Sequence, residues 1–267
     1  MSISVFREGL FKGKTVFVTG GSSGINLRIA EVFGEAGAKV AINGRKPEKL
    51  EAAVKGLRAK GITAEGYQCD VRDYPRLEEI FETVAKAWGG LDVLVCGAAG
   101  NFPAPAVGMS ANGFKAVIEI DVLGTFNACR AAFEHLKKPG ACVLNISAPQ
   151  ASVPWPMQSH VCAAKAGVDM LTRTLAIEWG PAGVRVCSIS PGPIDDTEGM
   201  ARLAGDPKQK EGLARAMPLQ RLGTKDDVAK LALFLASDAA SYCTGGIYSV
   251  DGGMGLIGGT ALLASVS

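Results

Sequence analysis

A chain of 267 residues with 48% hydrophobic side chains can bury a sizeable core and fits one large α/β domain. Its 28 basic and 26 acidic side chains nearly cancel, leaving a net charge of +2, so no global field exists to hold nucleic acid or an anionic membrane surface. The seven cysteines are scattered without a CxxC pair, no stretch reaches the roughly 18 apolar residues of a membrane span, and charges interrupt MSISVFREGLFKGK too early for a signal peptide; a cytoplasmic protein with no nucleic-acid or membrane partner is expected.

Along the chain, short β-branched runs alternate with amphipathic helical runs, the pattern of a parallel sheet with crossover helices. TVFVTG (15–20) reads as the first strand, and Ile25, Ile29, Val32, Phe33 and Ala36 follow at helical spacing until Gly37. KVAING (39–44) is the second strand. The next helix opens at Pro47, where a missing N–H costs nothing, and places Leu50, Val54 and Leu57 on one face. TAEGYQCD (63–70), LDVLVCGA (91–98), CVLNIS (142–147), VRVCSIS (184–190) and GIYSV (246–250) bring the total to about seven strands, with one helical segment expected between each pair but the last. The expected fold class is α/β, a doubly wound parallel sheet flanked by helices in a single domain over 1–267.

Between Pro191 and Leu219 the alternation breaks into a polar, Met-containing stretch too long for a plain connection, and 194–219 is expected to form a mobile lid over a site. Gly252–Ser267 is apolar and Gly-rich, which fits either a tail covered by another subunit or a disordered end. The closing SVS does not read as a peroxisomal address.

TGGSSGIN (19–26) joins the first strand to the first helix, where backbone N–H groups and a helix N-terminus converge on the place a pyrophosphate would occupy. A glycine-rich turn alone is weak evidence, but its position after strand one of a βαβ unit strengthens it. At the end of strand two an NAD enzyme carries an acid for the ribose hydroxyls; here stand Asn43, Gly44 and Arg45, and Arg45, helped by Lys46, suits the 2′-phosphate of NADPH/NADP+.

With these residues in view, the chain resembles the short-chain dehydrogenase/reductase family from about Gly13 to Gly253. The matching motifs are TGGSSGI for the family's TGxxxGxG, Asp70 in CDV, GAAG (97–100) in place of NNAG, Lys165, PGPI (191–194) and TGGIYSVDGG. The resemblance implies a single Rossmann domain, a nicotinamide cofactor and a homotetramer. It also implies cofactor contacts from Gly20, Ser22, Ser23, Gly24, Ile25, Arg45, Asp70, Val71, Ala98, Lys165, Pro191, Gly192 and Ile194. Asp70 would cap the adenine, and Lys165 would hold the nicotinamide ribose.

The departures bear on chemistry. Asn26 replaces the third glycine of the turn. Val161 stands where the family's tyrosine acid belongs, Ala148 where its serine polarises the carbonyl, and Asp121 where an asparagine sits in the long fourth helix. Ser147 is adjacent but, on strand alternation, faces the site only if the register slips. Losing a positioned acid costs a ketone reductase about 10² to 10⁴ in rate. Hydride addition to a conjugated thioester instead spreads charge through a dienolate that can wait for a proton from water. GAAGNF, SANGF and DVLGTFN, with Asp121 and Ala148, are similar to the peroxisomal-type 2,4-dienoyl-CoA reductases, which also lack the tyrosine.

That resemblance implies NADPH-dependent reduction of a 2,4-dienoyl-CoA to a 3-enoyl-CoA, an auxiliary step in fatty acid degradation by β-oxidation. Asp121 and Lys165 would order the protonating water, and Arg72, Phe102, Ser110 and Asn112 would contact the acyl-CoA. Trp155 and Met157 fall where family members line the substrate pocket, while Trp88 and Trp179 end helices as packing anchors.

Two rival readings stay open. One is a carbonyl or enoyl-thioester reductase using His160 or water as its acid, although His160 lies about 100° around the helix from the Val161 position. The other is a catalytically silent NADP(H)-binding scaffold. With His135 the only other histidine, neither a metal cluster nor a Ser-His-Asp arrangement is expected.

Overall fold

The computed structural model of the chain describes residues 5–203 and 206–257. Seven strands, β1 (Thr15–Thr19), β2 (Lys39–Gly44), β3 (Ala64–Gln68), β4 (Val93–Cys96), β5 (Cys142–Ile146), β6 (Arg185–Pro191) and β7 (Ile247–Val250), form one sheet in the order β3-β2-β1-β4-β5-β6-β7. Every pairing is parallel. The order reverses between β1 and β4, which opens a crevice beyond their carboxyl ends where α/β sheets bind ligands.

The two-residue alternation of β1 shows why the sheet needs helices on both faces. Val16 and Val18 pack on α1 (Gly24–Glu35), α2 (Pro47–Ala59) and α9 (Lys225–Ala236), against Phe33, Leu57 and Val228 among others. Phe17 points the other way, toward α3 (Tyr74–Trp88), α5 (Gly124–Ala132) and α6 (Ser159–Trp179), and its ring lies 4.6 Å from that of Phe81. All five β1 residues are buried, as a doubly covered parallel strand requires. Local chemistry fixes the helix ends. Asp73 accepts from the N–H of Arg76 to open α3, and Gly89 closes it in the left-handed region at φ +79°. Thr224 and Asp227 form a capping box at the start of α9.

Two connections differ from the sequence expectation. Between β4 and β5 the helical segment is not one regular helix: α4 (Ala111–Ile118) and α5 are joined by a π turn over Glu119–Leu123. The wider turn admits an extra residue and rotates α5 relative to α4, a device often found at functional sites. Between β6 and α9, the stretch expected as a lid contains two short helices, α7 (Glu198–Leu203) and α8 (Pro207–Ala216). Asp206 caps α8 by accepting from the N–H of Lys208. Most of the Gly252–Ser267 tail, including SVS, lies outside the described residues. Among the described residues no helix is long and apolar enough to cross a membrane.

Candidate active site

Two cavities meet at Ala99, beyond the carboxyl ends of the strands. The first, of 360 Å³, is bordered by the expected Gly20, Ser22, Ser23, Arg45, Asp70, Val71 and Ala98, and also by Asn26, Asn43, Lys46 and Lys49. Its backbone leaves no room for side chains: a Cβ on Gly20 would fall 2.9 Å from the backbone of Ala98, and one on Gly21 would fall 2.7 Å from Ile42. Gly24 opens α1 at φ +62° with nothing within 4 Å of where its Cβ would be, so the helix N-terminus stays accessible to an anion. Asn43 Oδ1 accepts from the Gly20 N–H at 2.9 Å and holds the turn, while Asn43 Nδ2 and Asn26 Oδ1 are buried without a partner. A glycine cradle, a free helix end, unpaired amide atoms and the Arg45 and Lys46 cations form a donor set that fits a nicotinamide dinucleotide.

Asp70 borders this cavity, and its carboxylate is gripped by Arg72 through Nε at 3.0 Å and Nη2 at 2.8 Å. Arg45 lies 3.9 Å away. The Arg72 hydrogen bonds hold the Asp70 carboxyl below its ordinary range.

The second cavity, of 300 Å³, is bordered by Asp121, Lys165 and the expected Ile25, Pro191, Gly192 and Ile194, together with Ala148, Trp155 and Val161. Lys165 Nζ donates to the Ile146 carbonyl at 3.1 Å and lies 3.0 Å from Asp121 Oδ2, an ion pair whose angle is too oblique for a well-directed hydrogen bond. The Gly100 N–H donates to Asp121 Oδ1 at 2.7 Å. The pair is buried, with the Asp121 side chain 0% and the Lys165 side chain 9% exposed. The π turn presents Asp121 to both partners. Val161 packs with Val117 and Ala164 in a small apolar cluster, so the family's tyrosine position has become part of the wall. Ser147 borders the cavity without any slip of register, its N–H still bonded to the Ile189 carbonyl at 2.8 Å, because β5 has ended at Ile146.

Of the four residues expected to contact the acyl-CoA, Arg72, Phe102, Ser110 and Asn112, none borders either cavity in this structure. Arg72 is folded onto Asp70, and Ser110 caps α4 by accepting from the Gly113 N–H at 3.0 Å. Asn112 lies exposed in the first turn of α4. The Phe102 ring sits 4.6 Å from that of His160, which is fully buried with both ring nitrogens unpaired. Trp155 borders the second cavity, while Met157 is 50% exposed and outside it. His160 does not border it either, as its angular offset from Val161 requires. Gln150 and Gln158 do border it and escape the sequence reading: Gln150 lies in a loop without periodic signal, whereas Gln158 stands at helical spacing from Val161 and Lys165, a signal that could have found it. A wider groove of 710 Å³ between α2 and edge strand β3 touches none of these groups.

The family model described as enoyl-(acyl carrier protein) reductase matches residues 20–255. The chain belongs to the short-chain dehydrogenase/reductase family, whose members bind a nicotinamide cofactor. It is 42% identical over 257 residues to the peroxisomal (3E)-enoyl-CoA-producing 2,4-dienoyl-CoA reductase of Saccharomyces cerevisiae, covering 95% of this chain and 88% of that protein. It is equally identical, 42% over 246 residues and 91% and 97% of the two chains, to a Bacillus subtilis protein described as "Probable 2,4-dienoyl-CoA reductase", (2E)-enoyl-CoA-producing. Among solved structures, a gluconate 5-dehydrogenase from Burkholderia cenocepacia in complex with NADP and tartrate superimposes with a TM-score of 0.85 at 27% identity, covering 91% and 95% of the chains.

These relatives correct one expectation. The yeast protein is described as peroxisomal, so scattered free cysteines and the closing tripeptide do not place this chain in the cytoplasm.

Proposed function

We propose that the protein reduces 2,4-dienoyl-CoA thioesters with NADPH, yielding an enoyl-CoA and NADP+. One observation carries this reading: the cavity holds a buried Lys165–Asp121 pair but puts Val161 and Ala148 where a carbonyl reductase needs its acid and its polarising hydroxyl. Arg45 at the adjoining cavity supports NADPH over NADH, through the charge and fork geometry suited to a 2′-phosphate. Bound there, the cofactor supplies a hydride, which adds to the far carbon of the conjugated thioester. The electron pair moves through the diene to the thioester oxygen, forming a dienolate, and a proton then completes the enoyl product.

The proton comes from a water held between Lys165 and Asp121. An ammonium carries three donors, of which the Ile146 carbonyl takes one and the Asp121 side the second, so one N–H remains for water. Asp121 Oδ2, without a well-directed hydrogen bond, supplies the acceptor. Delivery to the α-carbon gives the 3-enoyl thioester, whereas delivery to the γ-carbon gives the 2-enoyl thioester, and the yeast and Bacillus relatives are described by these two different products. The lid expected at 194–219, of which 204–205 lie outside the described residues, closes over the substrate through its described part, where Thr197 and Met200 already border the cavity. Four copies assemble into the working enzyme.

NADPH oxidation followed against dienoyl-, enoyl- and 3-oxoacyl-CoA panels tests the reading. Turnover confined to the dienoyl thioesters is expected; turnover of 3-oxoacyl-CoA would replace the reading with a carbonyl reductase, and tight NADPH binding with no turnover would leave a scaffold. Wild-type rates in both Lys165→Met and Asp121→Ala would refute the water model.

A further inference from the structure

A dienolate places its charge on the thioester oxygen, and an enzyme lowers that barrier with a donor aimed at the oxygen. The two family positions that supply such a donor are Ala148 and Val161, which have none. Lys165 is largely committed to Ile146 and Asp121. The same cavity nevertheless contains a side-chain amide pair: Gln150 Nε2 donates to Gln158 Oε1 at 2.9 Å.

Gln158, Val161 and Lys165 follow one another at spacings of three and four, which puts them on one stripe along the start of α6, and all three border the cavity. Gln158 is thus one turn, about 5 Å along the axis, before the position of the missing tyrosine. It occupies the N-cap of α6, yet its side chain makes no capping hydrogen bond. With its oxygen engaged by Gln150, its –NH₂ makes no hydrogen bond among the described residues and is free to donate. In the orientation the structure gives, the free –NH₂ belongs to Gln158; turning both amides over would hand it to Gln150, and Gln150→Leu rather than Gln158→Leu would then carry the larger loss.

We infer that Gln158 donates a hydrogen bond to the substrate's thioester oxygen and takes over the carbonyl-polarising function that Ala148 and Val161 have lost, with Gln150 as the residue that positions it. The assignment rests on the dienoyl thioester reading above. It makes Gln158 a catalytic residue acting on the oxygen, separate from the Lys165–Asp121 pair acting on the proton.

The test compares wild type, Gln158→Leu, Gln158→Glu and Gln150→Leu with NADPH and a dienoyl-CoA. Gln158→Leu is expected to lower kcat about 100-fold, the scale of one lost oxyanion donor, with NADPH binding unchanged as the check on folding. Gln158→Glu, which keeps the shape but accepts instead of donating when ionised, is expected to fall as far. Gln150→Leu is expected to lose about tenfold by freeing the amide to rotate. A merely structural role would leave one readout unmoved: the absorption band of the dienoyl thioester bound beside NADP+ should shift to the red in wild type and return toward its free position in Gln158→Leu. A Gln158→Leu enzyme that keeps kcat within about threefold of wild type, or keeps the red shift, overturns the assignment while leaving the dienoyl reading intact. A wild-type enzyme inert toward dienoyl-CoA overturns that reading and this inference with it.

Discussion

The side-chain amide of Asn26 occupies the space in which a Cβ of residue 97 would lie, and its Nδ2 donates to the Gly97 carbonyl at 2.7 Å. The family's third turn glycine and the asparagine that follows strand four have thus exchanged sides: the amide comes from the helix, and the strand end gives up its side chain. Asn26 closes the glycine turn from below, because Nδ2 also lies 3.4 Å from the Gly20 carbonyl.

This exchange predicts a coupled pair. Gly97→Ala alone drives a methyl into the Asn26 amide and should cost about 1–3 kcal/mol, the usual penalty of overpacking. Asn26→Gly alone loses a half-buried hydrogen bond and adds a flexible residue to α1, for about 1–2 kcal/mol. The double variant should be more stable than the sum of the two losses requires, as measured by thermal unfolding with and without NADPH. Strict additivity would mean the two residues do not depend on each other.

The Lys165–Asp121 pair supports a second prediction, which separates stability from turnover. Removing one member of a buried ion pair leaves an uncompensated charge and costs about 3–5 kcal/mol. Lys165→Met should therefore lower the denaturant midpoint strongly, since Asp121 would keep only the Gly100 N–H. Lys165→Met combined with Asp121→Asn should recover much of that stability while remaining inactive. A double variant less stable than Lys165→Met would show that the pair is not bound by mutual compensation.

Much of the architecture was readable from local rules. The β-branched runs located all seven strands, β2 to the residue and the others to within a residue or two at their ends, as at CVLNIS, where pairing stops at Ile146 once the chain leaves its neighbour. Asp121 and Lys165 could be singled out only through the family resemblance, and the folded chain brings the two side chains together. The π turn that aims Asp121 was not readable, because EIDVL has the same apolar periodicity whether the turn is α or π. Asn26 and Gly97 are 71 residues apart, so each reads alone as a departure from the family, and only the folded chain shows one compensating for the other. Gln150 stayed hidden for the related reason that a polar loop residue carries no periodic signal until the loop closes, while the helical spacing of Gln158 with Val161 and Lys165 was legible but its partner across the cavity was not.

Cofactor choice provides a third prediction. Arg45 stands at the end of β2, half exposed and 3.9 Å from Asp70, with Lys46 and Lys49 along the same cavity. A charge-assisted hydrogen bond to a phosphate is worth about 1.5–3 kcal/mol, so Arg45→Asp should lower kcat/KM for NADPH by about 10- to 100-fold. The value for NADH should rise, since the new carboxylate suits the ribose hydroxyls. Steady-state kinetics with both cofactors check this. An unchanged preference would transfer the 2′-phosphate role to the neighbouring lysines.

Asp169 supports a prediction about pH. It lies one turn after Lys165 on α6, buried, and accepts from the Ser188 hydroxyl at 3.1 Å. Burial holds its carboxyl above the ordinary range, against the opposing pull of the Ser147 and Ser188 hydroxyls and of the Arg173 and Lys165 charges. A raised folded-state pKa means that the native chain binds this proton more tightly than the unfolded chain does. The resulting stability is complete below the unfolded value of about 3.9 and is lost as pH rises through the folded value. Asp169→Asn keeps an acceptor for Ser188 and removes the titration. The melting temperature of the variant minus that of wild type should therefore increase from about pH 4 upward and level off above the raised pKa of Asp169. A difference that stays flat across that range would show that the carboxyl titrates alike in the folded and unfolded chains.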